Sequence, residues 1–94
     1  MIKNKIVITS ASRTAVGSLS KSLKDIPAEI LGAEVITNVI KKSKLNSYDV
    51  DEIIIGQVLT GASGQNPARQ AAIKSSIPKE KTAYVVNQVC GSGI

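Results

Sequence analysis

Apolar residues fall in blocks along the chain, and their spacing switches between unbroken and helical. Three blocks are short and continuous: Lys5-Ile6-Val7-Ile8-Thr9-Ser10, Asp51-Glu52-Ile53-Ile54-Ile55-Gly56, and the run from Ala83 to Val89, interrupted near its end by Asn87 and Gln88. Unbroken apolar runs of this length predict strands covered on both faces, as in a parallel sheet. Between the first two, Leu31, Val35, Ile36, Val39 and Ile40 recur at helical spacing and predict a helix over Pro27–Ser43. Pro27 suits its first turn, where a missing N–H costs nothing. Glu29 near the start and Lys41, Lys42 and Lys44 near the end each complement the helix dipole. A second helix is predicted from Pro67 to about Ser76, capped by Asn66 and stopped by Pro78. The order β-α-β-α-β makes this an α/β chain, a parallel sheet with crossover helices.

Two loops stand out, Ala11 to Lys24 and Val58 to Gln65, the second containing Thr60-Gly61-Ala62-Ser63-Gly64. Each follows the C-terminal end of a predicted strand, where open α/β sheets place their ligand sites. Cys90 follows the third strand in the same way. Three loops are therefore expected to converge on one sheet edge.

Composition narrows the picture. Ninety-four residues make one small domain at most, with 43% hydrophobic and 20% charged residues. With no Phe or Trp and two Tyr, burial falls to Ile, Val, Leu and Ala. The net charge of +5 is spread without a dense basic patch, and two arginines and two tyrosines leave little for phosphate forks or base stacking. Nucleic acid is not an expected partner; a solvated lysine surface is the plain reading, a weak preference for anionic ligands the alternative. No apolar run is long enough to cross a bilayer, so no membrane partner is expected. The start, Met1-Ile2-Lys3-Asn4-Lys5, fits neither a secretory segment nor an arginine-rich presequence, and the cytoplasm is the expected compartment. One cysteine excludes an internal disulfide, and without histidine no metal site is expected.

That cysteine carries the candidate chemistry. Cys90 sits in Asn87-Gln88-Val89-Cys90-Gly91-Ser92-Gly93, a glycine-rich turn after a strand, where a helix would begin. The thiolate is the reactive form of cysteine, and unpaired N–H groups at a helix start favour it. Gly91 and Gly93 would let a substrate approach the backbone, and the Cys90 N–H could join an oxyanion hole. A free cysteine can equally be a small buried hydrophobe, and spacing alone leaves both readings open. Ser92 has no visible base and is a weaker nucleophile. Gly61-Ala62-Ser63-Gly64 lacks the lysine of a phosphate-binding loop and reads better as a flexible connection. Arg13 and Arg69 suit structural ion pairs or an interface better than catalysis.

Several segments together carry a resemblance. The Asn87–Gly93 segment resembles the active-site segment of the thiolases, in particular the acetyl-CoA acetyltransferase branch. Ser12-Arg13-Thr14 with Gly17 is similar to the family's opening Ala-Arg-Thr-Pro-x-Gly, with Ala15 in the proline's place. Gly56-Gln57-Val58-Leu59 and Gly64-Gln65-Asn66-Pro67-Ala68-Arg69-Gln70-Ala71-Ala72 are similar to its second block. Order and spacing agree from about Lys5 to Ile94, where leucine is the family's commoner residue.

The resemblance implies an acyltransferase that condenses two acetyl-CoA molecules, or cleaves acetoacetyl-CoA with coenzyme A, through a cysteine acyl-enzyme. Cys90 matches the nucleophile that takes the acyl group, with its N–H on the oxyanion. Coenzyme A thioesters are the implied substrates, no separate cofactor is implied, and family members are homo-oligomers. The implied fold is part of the thiolase amino-terminal half, with residues 1–94 a partial domain that stops just after the nucleophile. The family's histidine, second cysteine and coenzyme A loops have no counterpart in this sequence. An amino-terminal segment inactive alone is therefore the first reading, with Cys90 near a frayed end and sheet left uncovered. A split enzyme or interaction module completed by a separate chain is the second, and an independent thiol or binding protein the third.

Overall fold

A computed structural model of the protein describes residues 4–94. Residues 1–3, part of the stretch read as free of a targeting signal, lie outside the described residues. Along the chain come α1 (Ala28–Ser43), β1 (Glu52–Gly56), α2 (Pro67–Lys74) and β2 (Thr82–Val86), with single 3-10 turns at Ser47–Asp49 and Val89–Gly91. No helix among the described residues is long and apolar enough to cross a membrane.

The strands run parallel, in register from Glu52 opposite Thr82 to Gly56 opposite Val86, and α2 is the crossover between them. This is the α/β arrangement that the alternation of apolar blocks predicts. Along β1 the side chains alternate: Ile53 is buried and Ile55 partly so, while Ile54 remains 55% exposed. Ile53, Ala72 and Ile77 form the core, and Ile36, Ile40, Val50, Ile55 and Ala83 pack against it. Small residues set the helix spacing. Ala68, Ala71 and Ala72 are fully buried on α2, and a Cβ on Gly32 of α1 would lie 3.3 Å from Ala71 Cβ. Close approach of the two helices replaces the aromatic bulk that the chain lacks.

Helix boundaries follow local chemistry. Pro27 stands one residue before α1, in extended conformation, rather than inside its first turn. The helix ends where Lys44 turns left-handed at φ 56°, its N–H returning to Ile40 and Lys41 carbonyls. Leu45 N–H also reaches the Ile40 carbonyl at 3.3 Å, completing a Schellman-type ending. Helix α2 starts as expected, with Asn66 at the cap and Pro67 at the first position. It stops at Lys74, short of Ser76, because Ser76 turns left-handed at φ 64° and the Ser76 and Ile77 N–H groups return to the Ile73 and Ala72 carbonyls at 3.1 and 3.0 Å, a second Schellman-type ending.

The first predicted strand is a correction. Lys5–Ser10 joins no ladder, and the sheet has two strands among the described residues. A strand exists only where a neighbour takes up its N–H and C=O groups. Here the polar end of the segment binds α1 instead: Ser10 Oγ donates to the Val39 carbonyl at 2.8 Å, and Thr9 Oγ1 lies 2.8 Å from Ser43 Oγ. Ile6 and Ile8 stay fully in solvent. The expectation of strands covered on both faces is corrected in the same way. Helices cover one face, while Ile54 and Tyr84 leave the other open.

Candidate active site

Strand β2 delivers the chain through Asn87 and Gln88 into the 3-10 turn Val89–Gly91, and Cys90 sits exposed at its centre. No α-helix follows Cys90 within the described residues. What distinguishes the turn is Val89, at φ 53°. A β-branched residue in the left-handed region costs roughly 1–2 kcal/mol, so neighbouring contacts must hold it there. Three hydrogen bonds do so. Val89 N–H donates to Asn87 Oδ1 at 2.9 Å, an Asx turn. Gln88 N–H donates to Ser92 Oγ at 2.9 Å, and that hydroxyl donates to the Val89 carbonyl at 2.7 Å. The expected frayed end is thus a fastened turn. Ser92, weighed above as a nucleophile, has its hydroxyl engaged on both sides.

The turn is seated on the sheet. A Cβ on Gly56 would fall 2.6 Å from the Ser92 carbonyl carbon and 2.9 Å from Ser92 Cβ. Gly56 is the last residue of β1, opposite Val86, and Gln57 N–H continues the pairing to the Val86 carbonyl at 3.1 Å. Cys90 therefore stands at the C-terminal ends of both strands, where such sheets present ligands. Its N–H donates to no protein acceptor among the described residues. An exposed sulfur beside an unclaimed N–H can take an acyl group and hydrogen-bond the developing oxyanion.

The three loops converge only in part. Asn87 Nδ2 donates to the Val58 carbonyl at 3.3 Å and joins the Cys90 turn to the second loop. That loop is not the slack connection expected from its glycines. Gln57 Nε2 donates to the Leu59 carbonyl at 3.0 Å, and Gln70 Nε2 to the Ser63 and Gln65 carbonyls at 2.8 Å each. The first loop lies along α1, where Lys42 Nζ donates to the Ala11 carbonyl at 3.2 Å. It reaches β1 through Thr14, at a cleft of about 520 Å³ shared with Leu31 and Gly56. Cys90 lies outside that cleft.

Both arginines bind backbone carbonyls, where the sequence suggested ion pairs or an interface. Arg69 Nη1 and Nη2 donate to Lys81 and Lys79 carbonyls at 2.9 and 2.8 Å, and Arg13 Nη1 to the Thr14 carbonyl at 3.1 Å. Sequence reasoning missed Asn87 and Gly56 as site residues. An asparagine two residues before the cysteine's neighbour was the available signal for the first; nothing local marks the second.

The family model described as thiolase, N-terminal domain, matches residues 6–94. The chain belongs to the thiolase family. This thiolase chain is 53% identical over 90 residues to an acetyl-CoA acetyltransferase of Paracoccus denitrificans, covering 96% of the chain and 23% of that relative. It is 55% identical over 89 residues to one of Pseudomonas aeruginosa, covering 95% of the chain and again 23% of the relative. Among solved structures it is similar to the Acat5 thiolase from Ascaris suum in complex with coenzyme A, with a TM-score of 0.87 and 42% identity over 89% of the chain and 22% of that structure. The chain thus spans less than a quarter of the length of these relatives. The resemblance carried by the Ser12, Gly56–Ala72 and Asn87–Gly93 segments is borne out at the level of the family.

Proposed function

We propose that this thiolase chain carries the acyl-accepting cysteine of an acetyl-CoA C-acetyltransferase. The observation behind the reading is the exposed Cys90 in a fastened turn at the strand ends, with its own N–H unclaimed. The Cys90 thiolate attacks the acyl carbon of a coenzyme A thioester; the carbon–sulfur bond to coenzyme A breaks and the coenzyme leaves as thiolate. The oxyanion formed on the way accepts the Cys90 N–H. A second acetyl-CoA then takes the acetyl group to give acetoacetyl-CoA, or in reverse coenzyme A cleaves acetoacetyl-CoA. Cys90 is a thioester carrier in both directions, and no separate cofactor enters. Acetyl-CoA, acetoacetyl-CoA and coenzyme A are the substrates, the cytoplasm the compartment and a homo-oligomer the working form in this reading.

The step that moves protons needs more than these residues. The sequence contains no histidine and no second cysteine, so the 94 residues by themselves hold the acyl group without turning it over. The open sheet face at Ile54 and Tyr84 favours completion by further polypeptide, whether in the same chain or a separate one. Incubating the purified chain with acetoacetyl-CoA and coenzyme A tests this part, with no turnover expected. Turnover that vanishes in Cys90→Ala would overturn the incompleteness, and failure of Cys90 to accept an acetyl group would overturn the reading itself.

A further inference from the structure

We propose that Asn87 and Ser92 are positioning residues for acyl transfer, acting by fixing the two peptide planes on either side of Val89. The inference rests on the reading of Cys90 as acyl acceptor and goes beyond it. A peptide unit is planar, so the Val89 carbonyl and the Cys90 N–H turn together. Ser92 Oγ donates to that carbonyl at 2.7 Å and Ser92 N–H reaches it at 3.1 Å. Aiming the Val89 carbonyl toward Ser92 aims the Cys90 N–H the opposite way, out of the turn. The preceding plane is held at both ends, the Val89 N–H by Asn87 Oδ1 at 2.9 Å and the Gln88 carbonyl by Gly91 N–H at 3.0 Å. Val89 is left-handed at φ 53° because both planes are pinned. Without the clamp a valine relaxes toward negative φ, and both planes rotate.

The consequence is specific to acyl transfer. Attack on a thioester builds negative charge on an oxygen that the Cys90 N–H must meet, so it depends on the direction of that N–H. Alkylation by iodoacetamide displaces iodide, builds no such oxyanion and needs only an exposed thiolate. The ratio of the two rates therefore reads the aim of the N–H, while a change in exposure moves both rates alike.

The test measures second-order rates of Cys90 in the 94-residue chain with S-acetyl-N-acetylcysteamine and with iodoacetamide, followed by intact mass, with N-acetylcysteine as the unstructured reference. The parent ratio is expected above the reference. Ser92→Ala and Asn87→Ala are each expected to lower it about tenfold, less than the roughly 10²–10³ lost when an oxyanion donor is removed outright, and Ser92→Thr to restore it by returning the hydroxyl. Amide spectra of β1 and β2 report whether the fold is kept, and the Val89 Cα and Cβ shifts report its conformation directly. A raised parent ratio that survives both alanine variants, or a Val89 that stays left-handed in them, overturns the clamp. A parent ratio equal to that of N-acetylcysteine counts against the acyl-acceptor reading itself.

Discussion

Ser92 rests on the bare backbone of Gly56, at a distance no side chain could share. The Ser92 carbonyl carbon stands 2.6 Å from where a Gly56 Cβ would sit. The contact joins the last residue of β1 to the turn that holds Cys90, across 36 positions of sequence (92 minus 56). Gly56→Ala is expected to push the turn off the strand end while sparing the core around Ile53, Ala72 and Ile77. Overpacking of this kind costs about 1–3 kcal/mol. Urea unfolding gives the loss, and amide shift changes confined to residues near 57 and 87–94 locate it; an unperturbed turn would show that the contact is not tight.

Asn66 joins the start of α2 to the sheet. Its Oδ1 accepts from Arg69 N–H at 3.1 Å, and its Nδ2 donates to the Ala83 carbonyl at 3.0 Å. It also sits left-handed at φ 41°, which asparagine tolerates better than alanine. Asn66→Ala should destabilise the chain by about 1–2 kcal/mol. Asn66→Gly, which keeps the backbone freedom and loses only the side-chain bonds, should cost less. Equal losses in the two variants would assign the effect to the hydrogen bonds alone.

Arg69 acts as a staple for the turn between α2 and β2. Its guanidinium spans the Lys79 and Lys81 carbonyls, a two-point grip that a lysine ammonium cannot reproduce in the same geometry. Arg69→Lys is expected to lose about 1 kcal/mol, the worth of one net hydrogen bond. Faster amide exchange between residues 79 and 82 should accompany it. A neutral substitution with unchanged exchange would remove the staple.

Lys44 offers the opposite sign. It terminates α1 in the left-handed region, φ 56°, where glycine avoids the Cβ penalty. Lys44→Gly should stabilise by about 0.5–1 kcal/mol after the added freedom of the unfolded chain is counted. For a chain of this size that is a rise in Tm of about 4 °C. A fall in Tm would mean that the lysine stem contributes packing that outweighs the strain.

Much of the fold was legible because its signals are local. Pro27 and Pro67 mark helix starts, Asn66 is a cap by its chemistry, and Ile53-Ile54-Ile55 reads as a strand without help. Lys5–Ser10 read equally well as a strand, yet a ladder needs a partner, and residue types do not say whether one is in reach. Both-face burial failed at Ile54 and Tyr84 for the same reason. At the site, Cys90 was visible from its glycine-rich setting. Its clamp was not, since the roles of Asn87 and Ser92 depend on a left-handed valine that no propensity would suggest. The Gly56 seat is a contact between distant residues, and only folded coordinates reveal it.

The central claim is that Cys90 accepts an acyl group from a coenzyme A thioester. Incubation of the 94-residue chain with radiolabelled acetyl-CoA, followed by peptide mapping, tests it directly. The account predicts a single acetyl group on Cys90, removed by hydroxylamine, formed faster than on N-acetylcysteine and absent from Cys90→Ala. Label that settles on lysines alone, or acetylation of Cys90 no faster than of the free amino-acid thiol, would contradict it.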